Sequence, residues 1–193
     1  MKTAVGITMI SFLLVAVTLS VVVSGVNEFV LDYQGKPVKP GTLYYVHHWH
    51  QERDSWLYPG SFRTSCPDTL AVVPTSYSLG ERVQIMFNMV REDIGGVRVS
   101  TELNIWMPLG KTCSKSGYWR FAFNSWTREY ELVPTGSRSS SDSIFTIQKS
   151  DRRYPSYEFV FGSENSTVIR FLELPSAPAF VSGKESAFSF YPV

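Results

Sequence analysis

His47, His48 and His50 stand close together directly after Tyr44-Tyr45-Val46. Neighbouring imidazoles invite a copper or zinc site, and in an extended chain His48 and His50 point to one side and His47 to the other. Around them no Cys, Asp or Glu completes a recognised ligand spacing. We read them as partly exposed histidines at a strand end or loop, and expect no metal. Nucleophilic chemistry fares no better, because no Gly-x-Ser-x-Gly elbow is present and the only histidines are clustered, with Asp54 nearby. Glu92 and Asp93 form a carboxylate pair beside Gly95-Gly96, where a solvated turn explains them more simply than acid and base work. Phosphate-binding glycine patterns and zinc-finger spacings are missing. The residues predict neither an enzyme nor a cofactor.

Five tryptophans, Trp49, Trp56, Trp106, Trp119 and Trp126, are potential sugar-stacking platforms. Trp119 belongs to an alternating run and reads as core, whereas Trp56, beside Tyr58-Pro59-Gly60, and Trp126 are the better candidates for exposure.

The elements that must position these residues are strands. Val97, Val99, Leu103, Ile105 and Met107 fall on one face of an extended run while Arg98, Ser100, Glu102 and Asn104 fall on the other. Shorter alternations are Val83, Ile85, Phe87; Trp119, Phe121, Phe123; Phe145, Ile147; Tyr157, Phe159, Phe161; and Phe188, Phe190. Turn formers separate them at Gln34-Gly35, Pro40-Gly41, Pro59-Gly60, Gly95-Gly96, Gly136 with the following serines, and Ser182-Gly183. Many short strands at this spacing predict an all-β sandwich or barrel. The serine-rich stretch Thr135 to Ser143 reads as an exposed loop.

Met1 to Gly25 carries one basic residue, Lys2, an apolar run, and small residues at Val23-Ser24-Gly25. This predicts a signal peptide cleaved after Gly25 rather than a membrane anchor. Residues 26–193 are then one exported domain, with an extracellular address (cell wall or apoplast) and the vacuole as the alternative. Without Lys2, the 18 basic residues of the chain become 17 against 17 acidic ones. A formally neutral surface gives no reason to bind nucleic acid or anionic membrane. Both cysteines, Cys66 and Cys113, lie in the exported part, which favours a disulfide between them over free thiols or half a metal site. Asn165-Ser166-Thr167 is a glycosylation sequon, with Asn165 the acceptor.

Phe29-Val30-Leu31-Asp32-Tyr33-Gln34-Gly35-Lys36-Pro37-Val38, followed by Gly41-Thr42-Leu43-Tyr44-Tyr45-Val46, resembles the opening of the plant Kunitz-type, soybean trypsin inhibitor family. Further blocks follow in that family's order: Cys66-Pro67 with Val72-Val73, Ser100-Thr101-Glu102-Leu103-Asn104-Ile105-Trp106, and Cys113 with Trp119. The cysteine separation also fits the family's first disulfide. The resemblance implies a β-trefoil, a six-stranded barrel capped by three hairpins, with units expected near 27–80, 81–132 and 133–193.

The resemblance further implies a secreted, monomeric protease inhibitor whose partner is an endopeptidase, of the serine class first. Its reactive loop falls at 88–96, with Met89, Val90, Arg91, Glu92 and Asp93 at the tip and Arg91 as the specificity residue. Alternatives are inhibition of a papain-like cysteine protease through another loop, or a non-inhibitory binding or storage protein. The chain departs from the family in three places: the first turn reads Lys39-Pro40 where a bracing asparagine is usual, Glu92 and Asp93 directly after Arg91 are poor neighbours for many trypsin-like clefts, and Gly162 stands where a second disulfide usually begins. The Cys66–Cys113 bridge spans the loop in sequence, so its reduction is expected to expose the Arg91 region to cleavage before the fold is lost.

Overall fold

A computed structural model describes residues 28–50, 53–60, 66–75, 81–91, 95–125, 128–151, 155–162, 167–168, 172–173 and 187–193. The signal peptide and its cleavage point, Glu92, Asp93, Trp126 and Asn165 lie outside these residues.

Most of the alternating runs of the sequence form strands with one face buried; in the run Trp119, Phe121, Phe123 the last ring is 56% exposed. Strand β1 runs Leu43–His50, β2 Arg53–Gly60, β3 Thr69–Pro74 and β4 Gln84–Met89. Then follow β5 Leu103–Trp106, β6 Arg120–Asn124, β7 Glu129–Val133 and β8 Phe145–Lys149. The last are β9 Tyr157–Phe161, β10 Thr167–Val168, β11 Leu172–Glu173 and β12 Ala187–Pro192. Pairing closes a ring: β1 with β4, β4 with β5, β5 with β8, β8 with β9, β9 with β12, and β12 back to β1. All six contacts are antiparallel, so the barrel has no free edge through its core strands. The hairpins β2–β3 and β6–β7 lie outside the ring, β6–β7 as a separate two-stranded sheet, and the short β11 runs parallel to β3.

The inward positions fill the barrel. Ile85 and Phe87 of β4, Leu103 and Ile105 of β5, Phe145 and Ile147 of β8, Phe159 of β9, and Phe188 and Phe190 of β12 are buried in one cluster. Trp119 is fully buried and meets Phe159 edge-on at 5.6 Å. Aromatic rings at such distances add to the apolar burial that drives closure.

Strand grouping corrects the expected units. Each unit has outer members in the ring and two strands outside it in sequence, giving β1–β4, β5–β8 and β9–β12. The boundaries therefore fall after Met89 and after Lys149, one strand later than expected, because alternation marks strands without showing which ones pair.

The run from Val97 to Met107 is also not one strand. Ser100 has φ 59°, a left-handed turn, and its N–H donates to the Ile147 carbonyl at 2.8 Å. Val97 and Arg98 consequently pair with the N-terminal segment and only Leu103–Trp106 joins the barrel. Asn104, on the polar side of the alternation, is buried instead of exposed, and its Nδ2 donates to the Ser143 carbonyl at 2.7 Å. That bond ties down the end of the serine-rich loop, where Ser141–Ser143 forms a short 3-10 turn while Ser137 to Ser139 stay exposed.

Candidate functional site

The histidines are placed by β1, which pairs with three strands. His47 and His48 are each only 3% exposed, a correction to the reading of partly exposed residues. The reason is that β1 continues through them as a central strand instead of ending before them. They lie on opposite sides of it: the His48 ring stands 5.1 Å from Phe188, whereas His47 stands among Trp49 at 4.6 Å, Trp56 at 4.8 Å and Tyr191 at 5.7 Å. Trp56 is correspondingly buried, not exposed, and Arg82 lies 3.8 Å from the centre of its ring.

His47 Nε2 bonds the Asp54 carboxylate across the β1–β2 hairpin, and Thr75 Oγ1 donates to the other carboxylate oxygen at 2.9 Å. Burial alone raises the Asp54 carboxyl, but the hydrogen bonds from His47 and Thr75, with the electrostatic pull of His47 and Arg82, outweigh it and hold the group below its ordinary value. A carboxyl lowered by folding stabilises the fold above its unfolded pKa, and that contribution disappears as pH falls through the folded value. Asp54→Asn is therefore expected to reduce stability near neutral pH, with the gap to wild type closing between about pH 5 and about pH 2. The Asp54 side chain is 60% exposed, so the gap is expected to stay below about 1 kcal/mol. Urea denaturation of both proteins across this pH range measures it.

The 88–96 loop leaves β4 after Met89. Met89 is 7% exposed and belongs to the core, so it anchors the loop and does not stand at its tip as expected. Exposure begins at Val90 and Arg91. The Val90 N–H donates to the Glu102 carbonyl at 3.3 Å, which ties the entry of the loop to the start of β5. Arg91 opens onto a polar groove of about 440 Å³ whose other walls include Glu102, Thr146 and Gln148.

The exit of the loop is held by the N-terminal segment. The Val97 N–H donates to the Val38 carbonyl and the Val30 N–H to the Val97 carbonyl, both at 2.8 Å, and the Val99 N–H donates to the Glu28 carbonyl at 2.9 Å. Val30, Val38 and Val97 are fully buried. The segment itself is shaped by Asp32, whose Oδ1 accepts from the N–H groups of Gln34 and Lys36 at 2.8 and 2.9 Å, closing a turn in which Gly35 takes φ 76°. Tyr157 of β9 anchors it to the barrel, its hydroxyl accepting from the Leu31 N–H at 2.8 Å. At the other end of the segment the Lys39 N–H donates to the Tyr44 hydroxyl at 2.9 Å.

Cys66 and Cys113 form the disulfide, with Cα atoms 5.1 Å apart. Lys115 spans the same two segments, its Nζ donating to the Pro67 carbonyl at 2.7 Å and pairing with Asp68. The polar contacts next to the bridge thus join residues 67–68 to 115, whereas those at the loop exit join 28–38 to 97–99.

A closed barrel of six strands, hairpins outside it, a half-cystine on each side of an exposed loop: this is the setting in which comparison with known proteins is informative. The sequence profile described as "Trypsin and protease inhibitor", of the legume Kunitz family, matches residues 30–172. The chain belongs to the Kunitz trypsin and protease inhibitor family. Kunitz trypsin inhibitor 6 of Arabidopsis thaliana is 36% identical over 162 residues, covering 80% of this chain and 76% of that protein. Among solved structures, the water-soluble chlorophyll protein from Brassica oleracea superposes with a TM-score of 0.64 at 18% identity, over 86% of this chain and 99% of that one. The Kunitz-type cysteine protease inhibitor from potato superposes with a TM-score of 0.58 at 19% identity, over 86% and 97%. At these identities the structures speak to fold alone, and the fold is the Kunitz β-trefoil. This Kunitz chain is a single-disulfide member among the described residues.

Proposed function

We propose that this Kunitz protein is a secreted, monomeric inhibitor of serine endopeptidases that presents the 88–96 loop as a substrate, with Arg91 entering the specificity pocket. The observation that carries the reading is the position of Arg91. It is an exposed cation two residues beyond the buried anchor Met89, on a loop whose entry and exit are both hydrogen-bonded to the barrel assembly. A loop already held in place loses little conformational entropy on docking and resists completing its own cleavage. An arginine there suits a trypsin-type pocket with an acid at its base, through a charge-assisted and bidentate contact. Val90, Glu92 and Asp93 flank it in the cleft. The acidic pair selects enzymes that tolerate negative charge beyond the scissile bond.

Secretion rests on the signal peptide expected over residues 1–25, and Asn165 is the proposed glycan acceptor. We treat the chain as an inhibitor and not an enzyme, in keeping with its family.

The test is an inhibition panel of trypsin, chymotrypsin, subtilisin and papain. The expected result is stoichiometric inhibition of trypsin. Inhibition of papain alone would move the function to the cysteine class and to a different loop. A binding role has one observation in its favour: the β6–β7 hairpin exposes Phe123 and Tyr130, 5.3 Å apart, with Phe121 stacked on Tyr130 at 5.1 Å. Spectroscopic titration with chlorophyll and a glycan array address it, and a hit on either with no protease inhibited would replace the inhibitor reading.

A further inference from the structure

Phe29 meets the loop exit where two glycines bring the backbone close. A Cβ on Gly95 would stand 3.1 Å from the Phe29 Cζ, and one on Gly96 3.2 Å from its Cδ1 and 3.0 Å from the Val38 carbonyl oxygen. Gly96 also has φ 141°, outside the range side-chain-bearing residues ordinarily adopt. The Arg98 guanidinium lies 4.2 Å from the centre of the Phe29 ring, and Phe29 and Arg98 face each other in an antiparallel bridge. A ring packed on bare backbone and joined to a cation by its π face fixes the direction in which the chain leaves the loop.

We propose that Phe29 and Arg98 are positioning residues for the reactive loop: together they form the side-chain brace that holds the loop exit at Gly95 and Gly96 in place. The inference rests on the functional reading above and deepens it. Hydrolysis of the Arg91–Glu92 peptide bond adds water and leaves a carboxylate on Arg91 and an amine on Glu92. An inhibitor outlasts that event when the new ends stay in place, because the bond then re-forms more readily than the ends separate. The entry side is secured by Met89 and by the Val90 to Glu102 hydrogen bond. On the exit side the backbone pairing holds Val97 and Val99, while Gly95 and Gly96, nearer to Arg91, have the Phe29 ring against them.

The experiment compares wild type with Phe29→Leu, Phe29→Tyr and Arg98→Gln in the presence of catalytic trypsin, following intact mass and the identity of the first cut. Phe29→Leu keeps apolar volume and removes the ring face, Phe29→Tyr restores the face, and Arg98→Gln removes the cation without touching the ring. Phe29→Leu and Arg98→Gln are expected to be cut first after Arg91, about tenfold faster than wild type or more, from about 1.4 kcal/mol of lost restraint. Phe29→Tyr is expected to behave as wild type. A purely structural role would instead lower the melting temperature and scatter the first cuts over many Lys and Arg sites.

Equal cutting after Arg91 in wild type, Phe29→Leu and Arg98→Gln overturns the inference, as does scattered cutting in both variants. Should Phe29→Leu fail to fold, Arg98→Gln decides alone. Failure of the inhibitor reading shows separately, as wild-type protein that leaves trypsin active, and the rates of Arg91 cutting remain comparable in that case.

Discussion

Arg91→Ala is expected to weaken inhibition of trypsin by about 1,000-fold while leaving the melting temperature within about 2 °C of wild type. The two halves of this expectation come from different observations. Arg91 is exposed and outside the core, so truncating it removes no packing from the barrel. In the complex the same side chain would be desolvated against a buried acid, and deleting one partner of such a pair leaves the other uncompensated. Progress curves at several inhibitor concentrations measure the affinity, and a thermal melt measures the fold. Arg91→Lys is expected to retain most of the inhibition, since it keeps the charge and loses only the bidentate geometry.

Replacing both half-cystines, Cys66→Ser with Cys113→Ser, is expected to cost about 2–4 kcal/mol of stability and yet leave inhibition nearly unchanged at temperatures where the protein is folded. The bridge joins residues 47 apart, for which loop-closure entropy alone gives about 4 kcal/mol. Lys115 holds the same two segments through the Pro67 carbonyl and Asp68, so the native arrangement has a second tie. The loop base, by contrast, is tied to residues 28–38 and to Glu102. These ties change the expectation that reduction exposes the Arg91 region before the fold is lost. The segments beside the bridge are expected to loosen first, with Arg91 protected until the N-terminal segment detaches. Guanidinium denaturation gives the stability difference, and limited proteolysis under reducing conditions gives the order of cuts.

The barrel strands with one buried face could be read directly. Ile85 and Phe87 alternate with their neighbours because every second residue of β4 faces the core, with Val83 just before the strand on the same side, and Phe145 with Ile147 does the same in β8. What alternation lacks is any information on partners. Closure of the ring depends on β12 meeting both β1 and β9, a contact between chain ends far apart in sequence. The break at Ser100 was hidden for a related reason: Val97 and Leu103, an even number of residues apart, are both buried on either side of it, so the apolar spacing runs through the turn with only Thr101 out of place. His47 and Trp56 misled because polar or amphipathic residues at a strand end ordinarily reach solvent. Here they pair across the β1–β2 hairpin and bury each other with Tyr191. In the candidate site, Arg91 was legible as the basic residue of the loop, while the anchoring of Met89 needed the core to be seen. Nothing in the residue types marked Phe29 as a neighbour of Gly95. The one signal was the pair of adjacent glycines, which often marks a close approach of other atoms to the backbone.

Titration of active-site-calibrated trypsin with the wild-type protein tests the central claim most directly, when combined with mass analysis of the inhibitor recovered from the complex. The account predicts a sharp end point at one inhibitor per enzyme, and recovered chains that are either intact or cut at the single bond between Arg91 and Glu92. Trypsin that remains fully active in the presence of excess protein, or that is blocked while the recovered chains are cut at some other bond, would contradict it.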